Sequence, residues 1–163
     1  MQNVVLITGA SSGIGKSIGE YLAKLNYKVY GTSRNPKQSK LNGIHFLKLD
    51  ITDLKSIQTN IDNIISKKKK IDLLINNAGV MMCPFSKTQD GFEIQMGTNH
   101  LGPFALTGQL MPLLKKTKDS RIVSTSSIAH TQGNIDFSDL NWEKRKYKTS
   151  NAYGDSKLAN LYF

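Results

Sequence analysis

The sequence predicts an α/β fold, a doubly wound parallel sheet with helices on both faces. Three observations predict it. Short apolar runs rich in β-branched residues alternate five times with stretches of helical spacing. The first of these runs, Asn3-Val4-Val5-Leu6-Ile7, passes at once into the turn Thr8-Gly9-Ala10-Ser11-Ser12-Gly13-Ile14-Gly15 and then into a helix. No internal repeat, low-complexity segment or linker divides the 163 residues, so residues 1–163 read as one domain.

The elements follow in order. Ile14, Ile18, Tyr21, Leu22 and Leu25 mark the apolar face of the first helix. The second strand is Lys28–Ser33 and ends in the turn Arg34-Asn35-Pro36. A third runs from Ile44 to Leu49. Only the nine residues Asn35 to Gly43 separate the two, fewer than a parallel crossover usually needs, so the crossover helix is expected to be a turn or missing. Thr52 reads as the N-cap of a helix whose face is Leu54, Ile57, Ile61, Ile64 and Ile65. Strand Ile71–Ile75 leads into Asn76-Asn77-Ala78-Gly79. A helical region from about Gln89 to Lys116 is broken by Gly97, Gly102, Pro103 and Pro112. Strand Arg121–Thr125 follows, then a polar loop over about 129–150. Asn151 to Phe163 reads as a helix cut short by the chain end.

A chain 39% hydrophobic and 21% charged has the composition of a soluble globular protein. Its one cysteine excludes an intrachain disulfide and suits a reduced cytosol. No apolar run reaches the length of a bilayer span and the chain begins directly at a strand, so a cytoplasmic protein without signal peptide or membrane anchor is expected. The net charge of +10 raises the question of nucleic acid. The lysines are scattered, however, and their one dense run, Lys67 to Lys70, falls where a helix should end and cations are favoured. Nucleic acid is therefore not an expected partner.

The glycine turn carries the first chemistry. Three glycines let backbone approach a ligand, and the helix that follows offers unpaired N–H groups and the positive end of its dipole. That combination suits the pyrophosphate of a dinucleotide. After the second strand, a carboxylate would bond the ribose 2′-OH of NAD, whereas an arginine accommodates the 2′-phosphate of NADP. Ser33-Arg34 stands there, so NADP is expected over NAD. Tyr153 and Lys157 are four residues apart and share a helix face. A cation beside a phenol lowers its pKa and makes it a usable acid or base near neutral pH. In a helix, Pro103 offers no N–H to the carbonyl of Asn99, which is then left free to hold a water. Asp50 reads either as an acceptor for an adenine amino group or as a cap before the next helix. Cys83 and His100 belong to no ligand cluster, so no metal is expected.

The glycine turn, Asn76-Asn77-Ala78-Gly79, Asn99, Ser126-Ser127 and the Tyr153–Lys157 pair occur in one order. In that order the chain resembles the short-chain dehydrogenase/reductases from its first strand to its last residue. The stretches 77–84, 99–104 and 152–160 resemble the retinol dehydrogenase/WW-domain oxidoreductase branch. The resemblance implies that Tyr153 donates or accepts the proton and that Lys157 holds the nicotinamide ribose. Ser127 then holds the substrate oxygen, with Ser126 structural, and a water on the Asn99 carbonyl extends a relay to solvent. It further implies that Gly9, Ser11, Ser12, Gly13, Ile14, Gly15, Ser33, Arg34, Asp50, Ile51, Asn77, Ala78 and Gly79 contact the cofactor. Some NADP-binding relatives carry a second basic residue in the glycine turn; this chain has Ser12 there. The implied activity is NADP-dependent hydride transfer to a carbonyl, or from a primary or secondary alcohol, of a small molecule. The alternative is a non-catalytic, redox-sensing dinucleotide module. The family's substrate residues lie largely after the tyrosine helix, so the chain reads as the N-terminal portion of such a domain. Substrate identity and homo-oligomer formation stay open.

Overall fold

The computed structural model describes residues 2–36, 43–67 and 70–163, with backbone alone for 62, 63 and 65–67. Strands β1 (Val4–Ile7), β2 (Lys28–Ser33), β3 (Ile44–Lys48), β4 (Leu73–Asn76) and β5 (Arg121–Ser124) form one sheet in the order β3-β2-β1-β4-β5. Every pairing is parallel, including β2 with β3 across the short connection. The conformation expected for that connection concerns residues 37–42, which lie outside the described residues. The chain winds outward from β1 to β3 and then returns to lay β4 on the other side of β1. The carboxyl ends of β1 and β4 therefore meet at a topological switch point, where open α/β sheets bind ligands.

Both faces of the sheet are covered, which is why its strands read as continuous apolar runs. Leu6, Tyr30 and Leu74 face α2 (Leu54–Lys67) and α4 (Gly102–Lys116), packing with Ile57, Ile61, Ile64, Leu106 and Leu110. Val5, Ile7, Val29 and Ile75 face α1 (Gly13–Lys24) through Ile18, Leu22 and Ala23. No described helix is long and apolar enough to cross a membrane.

Several elements differ from the sequence reading. In α1, Ile14, Tyr21 and Leu25 are more than half exposed, while Gly15 and Gly19 are buried. The helix lies so close to the sheet that a Cβ on Gly19 would sit 2.6 Å from Ile44 Cδ1. The inward stripe is Gly15, Ile18, Gly19, Leu22 and Ala23, chosen for smallness as well as apolarity. Helix α2 is capped by Asp53 rather than Thr52. Asp53 O accepts from Ile57 N at 3.0 Å and its Oδ1 accepts from Lys55 N at 2.9 Å. Of the lysine run, Lys67 closes α2, Lys70 pairs with Asp72 at 3.0 Å, and Lys68 and Lys69 lie outside the described residues.

The region expected to be helical from Gln89 begins at Ile94, because the Glu93 carboxylate caps it by accepting from Gln95 N and Met96 N. The path is α3 (Ile94–Met96), a π-turn (Gly97–Leu101), then α4, with Pro112 held inside α4 rather than breaking it. The expected polar loop holds a 3₁₀ turn (Ile128–Gln132) and a buried Trp142. Finally, α5 (Thr149–Ala159) starts two residues early and closes at Asn160 instead of running to Phe163.

Candidate active site

At the carboxyl ends of β1 and β4 the turn after β1 is tied from two sides, by the segment after β4 and by β2. Thr8 Oγ1 accepts from Asn77 N and Ala78 N, both at 2.9 Å. Asn77 Nδ2 donates back to Thr8 O at 2.9 Å and Gly9 O at 3.2 Å. Thr32 of β2 accepts from Gly9 N through its hydroxyl and from Ala10 N through its carbonyl. The turn is thereby a fixed concavity. Gly9 and Gly13 hold φ of +66° and +55°, a region L side chains avoid. A Cβ on Gly15 would fall 2.4 Å from both Gly9 O and Asn77 Nδ2, so only glycine fits. Above the turn the chain is open. Nothing lies within 4 Å of a Cβ built on Gly13, and Ser11, Ser12, Gly13 and Ile14 are exposed. Ser12 is the N-cap of α1 but makes no side-chain cap bond. The first-turn N–H groups therefore face this open space, an arrangement that suits an anion.

The neighbouring strand ends complete the groove. Arg34 is exposed after β2, and Ser33 Oγ accepts from Asn35 N at 3.2 Å. Asp50 Oδ1 is engaged by Thr52 N at 2.9 Å and Thr52 Oγ1 at 2.7 Å. Asp50 thus builds a local turn, while Asp53 does the capping. The Ile51 side chain belongs to the core, and its carbonyl lies against Gly102, where a Cβ would meet it at 2.1 Å. Ala78 packs beside Gly9, and Gly79 beside Asn99 Oδ1.

Helix α5 brings Lys157 to the end of β5, with Tyr153 one turn before it on the helix. The Lys157 side chain is buried, and its Nζ lies 5.6 Å from the centroid of the Tyr153 ring. That Nζ donates to Thr125 O at 3.0 Å, and burial holds the ammonium below the ordinary lysine pKa. Of the two adjacent serines, Ser126 donates to the Lys157 carbonyl at 2.8 Å, and so fastens α5 to the end of β5. Ser127 is the N-cap of the 3₁₀ turn, its Oγ accepting from Ala129 N at 3.2 Å.

The Asn99 side chain is fully engaged. Its Oδ1 accepts from Val80 N at 2.8 Å, and its Nδ2 donates to Val80 O and to Ser156 Oγ, each at 2.9 Å. It locks the loop after β4 to α5. The Asn99 carbonyl, expected to be left free by Pro103, is not free: Asn160 Nδ2 donates to it at 3.0 Å. A side chain from the end of α5 fills the bond that proline cannot make.

Sequence reasoning missed Ser156, Asn160 and a buried polar hub. In the hub, Glu93 Oε1 accepts from Tyr147 Oη at 2.8 Å. Gln95 Oε1 accepts from Met82 N at 2.7 Å, and Gln95 Nε2 donates to Tyr147 Oη and Thr149 O at 2.9 Å. Burial first, then the Glu93 contact, push the Tyr147 phenol pKa up, so it stays a donor. Gln95 thereby joins the loop after β4 to the first turn of α5. The available signal was Glu93 and Gln95 near the start of a helical region otherwise read for its breakers and for Asn99. Asn160 was marked by its place three residues after Lys157. Among the described residues no group of three His, Cys, Asp or Glu could hold a metal.

A parallel sheet with a glycine turn at its switch point and a tyrosine–lysine helix beside it defines a Rossmann-type α/β protein. The model of the short-chain dehydrogenase family matches residues 3–139, and the chain belongs to that family. It is similar to mouse (Mus musculus) retinol dehydrogenase 12, at 46% identity over 171 residues, and to human (Homo sapiens) retinol dehydrogenase 13, at 43% over 170. Each match covers 98% of this chain but 54% and 51% of the relative, so the chain spans about half the length of these relatives. Among solved structures, an uncharacterised protein from Mycobacterium Paratuberculosis matches with TM-score 0.89 and 42% identity, covering 98% of this chain and 59% of that one. ElxO with NADP bound matches at TM-score 0.73 and 28% identity, over 98% of this chain and 64% of ElxO.

Proposed function

We propose that this chain forms the cofactor and acid/base part of an NADP-dependent oxidoreductase acting on a small carbonyl compound or the corresponding primary or secondary alcohol. The observation that carries the reading is the buried Lys157 ammonium, held by Thr125 O and set 5.6 Å from the Tyr153 ring, across from an open glycine turn. Burying a lysine among uncharged partners is costly, and a purely structural helix has no need of it.

The residues fit a dinucleotide. Gly15 lets the first turn of α1 close against Gly9 O and Asn77, and Ser11, Ser12, Gly13 and Ile14 border the open space over the α1 N-terminus. These groups would hold the pyrophosphate, with Gly9, Asn77, Ala78 and Gly79 shaping the floor. Asp50 and Ile51 would border the adenine, the latter through its backbone. Ser33 and Arg34 would meet the ribose 2′-phosphate, and the NADP carried by ElxO supports that choice. When bound, the nicotinamide supplies or takes up the hydride.

The chain's own residues handle the proton. Tyr153 gives its hydroxyl proton to the carbonyl oxygen in reduction, or takes it from the alcohol in oxidation. Lys157 stands 5.6 Å from the Tyr153 ring and holds the ribose. Ser127 holds the substrate oxygen, a role supported by Ser126 being committed to the helix backbone. Asn99 keeps the loop after β4 in register with α5. The presence of Asn99 and Ser127 with Tyr153 and Lys157 argues against a module that only binds a dinucleotide, which has no need of the first two.

Tyr153→Phe tests this. Turnover should be abolished while NADPH affinity stays within about twofold, because the ring keeps its packing and loses only the transferable proton. Substantial residual reductase activity in the variant would remove Tyr153 from the mechanism.

A further inference from the structure

We infer that Asn160 is a positioning residue for the Lys157 ammonium, held in one orientation by His100. The inference rests on the proposed role of Lys157 and goes beyond it to the residue that sets how Lys157 is held. Asn160 Nδ2 lies 3.0 Å from Asn99 O and 3.2 Å from Thr125 O. Both partners are carbonyls and only accept, so the end of the amide facing them must be the NH₂ group. The opposite end, Oδ1, lies 3.0 Å from His100 Nδ1 and is an acceptor, so Nδ1 of the imidazole carries the proton. The amide cannot flip without setting its oxygen against two carbonyls. His100 donates in its neutral and its charged state alike, so the contact does not depend on that titration.

This arrangement has two consequences at Lys157. The Thr125 carbonyl is shared, accepting from Lys157 Nζ and from Asn160 Nδ2. Sharing weakens its hold on the ammonium and keeps it satisfied when Lys157 turns toward a ribose. Removing the amide leaves Thr125 O to the ammonium alone, which favours the charged form and raises the Lys157 pKa. The other groups facing Lys157 are the Tyr153 ring on its own helix and the Thr125–Ser126 backbone from β5; desolvation is the one cause of its lowered pKa. The π-turn explains why an asparagine is needed. Pro103 deprives Asn99 O of its helical donor, and Gly102 N reaches back to Gly97 O instead. A buried carbonyl left without a donor is costly, so the end of α5 supplies one.

The first test needs no substitution in the network. Nitrogen-15 imidazole shifts of the labelled protein, with the His100 signal identified by its loss in His100→Gln, should show the Nδ1–H tautomer above the pKa. An Nε2–H tautomer would overturn the orientation. The second test follows NADPH affinity against pH by the fluorescence of bound NADPH. The alkaline weakening that marks Lys157 deprotonation should move up by roughly half a pH unit in Asn160→Ala. An unmoved break overturns the proposal. Lys157→Met separates the layers of argument: if it keeps the break, or if the unmodified protein binds no NADPH, the role given to Lys157 fails. The histidine tautomer still decides the Asn160 arrangement in that case.

Discussion

Three positions make separable predictions at the scale of single residues. Arg34 is exposed after β2, so its removal tests the proposed phosphate contact with little effect on the fold. NADPH should bind roughly tenfold or more tightly than NADH, and Arg34→Ala should narrow that gap, as paired titrations of the two cofactors would show. Gly15→Ala is the opposite case. Its Cβ would lie 2.4 Å from Gly9 O, a backbone atom that cannot step aside without opening the turn. Lost NADPH binding and a stability deficit of about 1–3 kcal/mol in urea are expected together. Lys157 has a sign that can be worked out. Its folded pKa lies below the unfolded value of about 10.5, because burial penalises the charge. Between the two values the unfolded chain binds the extra proton, so stability rises with pH through that window and is lowest below it. Lys157→Met should therefore raise Tm near neutral pH and flatten the alkaline rise; a lowered neutral Tm would show that the ammonium stabilises the fold. Asn160 would still satisfy Thr125 O in that variant.

At the scale of elements, the segment from Glu93 to Lys116 is the strut on which the site is assembled. Glu93 caps α3 with both carboxylate oxygens and also holds Tyr147. Gln95 ties the loop after β4 to α5, and the π-turn delivers the Asn99 side chain to the same two elements. Strain is placed nearby: Met82 has φ +51° while its N–H is held by Gln95 Oε1. Glu93→Ala should cost more than an ordinary cap, which is worth about 1 kcal/mol, because it also leaves the half-buried Tyr147 hydroxyl only its longer, 3.3 Å bond to Cys83 O. Urea unfolding should show a loss of roughly 2–4 kcal/mol, with Glu93→Gln losing less. Equal losses in the two variants would mean that the carboxylate charge, and not its hydrogen-bond geometry, holds the hub.

The whole molecule presents unpaired surface on one side. Strand β5 is the edge of the sheet, and its Ile122 and Val123 are 41% and 48% exposed. Phe137 and Tyr162 are exposed near α5. Such an edge invites pairing with another chain. The 163-residue chain should associate as its concentration rises, measured by sedimentation velocity. It should also turn over more slowly than a version extended to the length of its relatives, since catalysis needs water excluded and geometry held. Comparable turnover from the two would mean that the active site is complete by Phe163.

The sequence by itself determined the sheet, the switch-point turn and the candidate chemistry. Those features are local. β-Branched runs buried on both faces, glycines at positive φ and a four-residue helical spacing can each be read from neighbours in the chain. The tertiary structure alone decided how close elements approach and which polar groups find each other. Gly15 and Gly19 replaced Ile14 and Tyr21 as the inward face because α1 lies almost on the strands. Asp53 displaced Thr52 as the cap of α2 because Thr52 is already engaged with Asp50. The consequence of Pro103 was legible as an orphaned carbonyl, but its partner was not. Asn160 lies 61 residues from Asn99 along the chain. A hydrogen bond between groups so far apart depends on the packing of α5 against the π-turn and the end of β5. No local pattern records that packing.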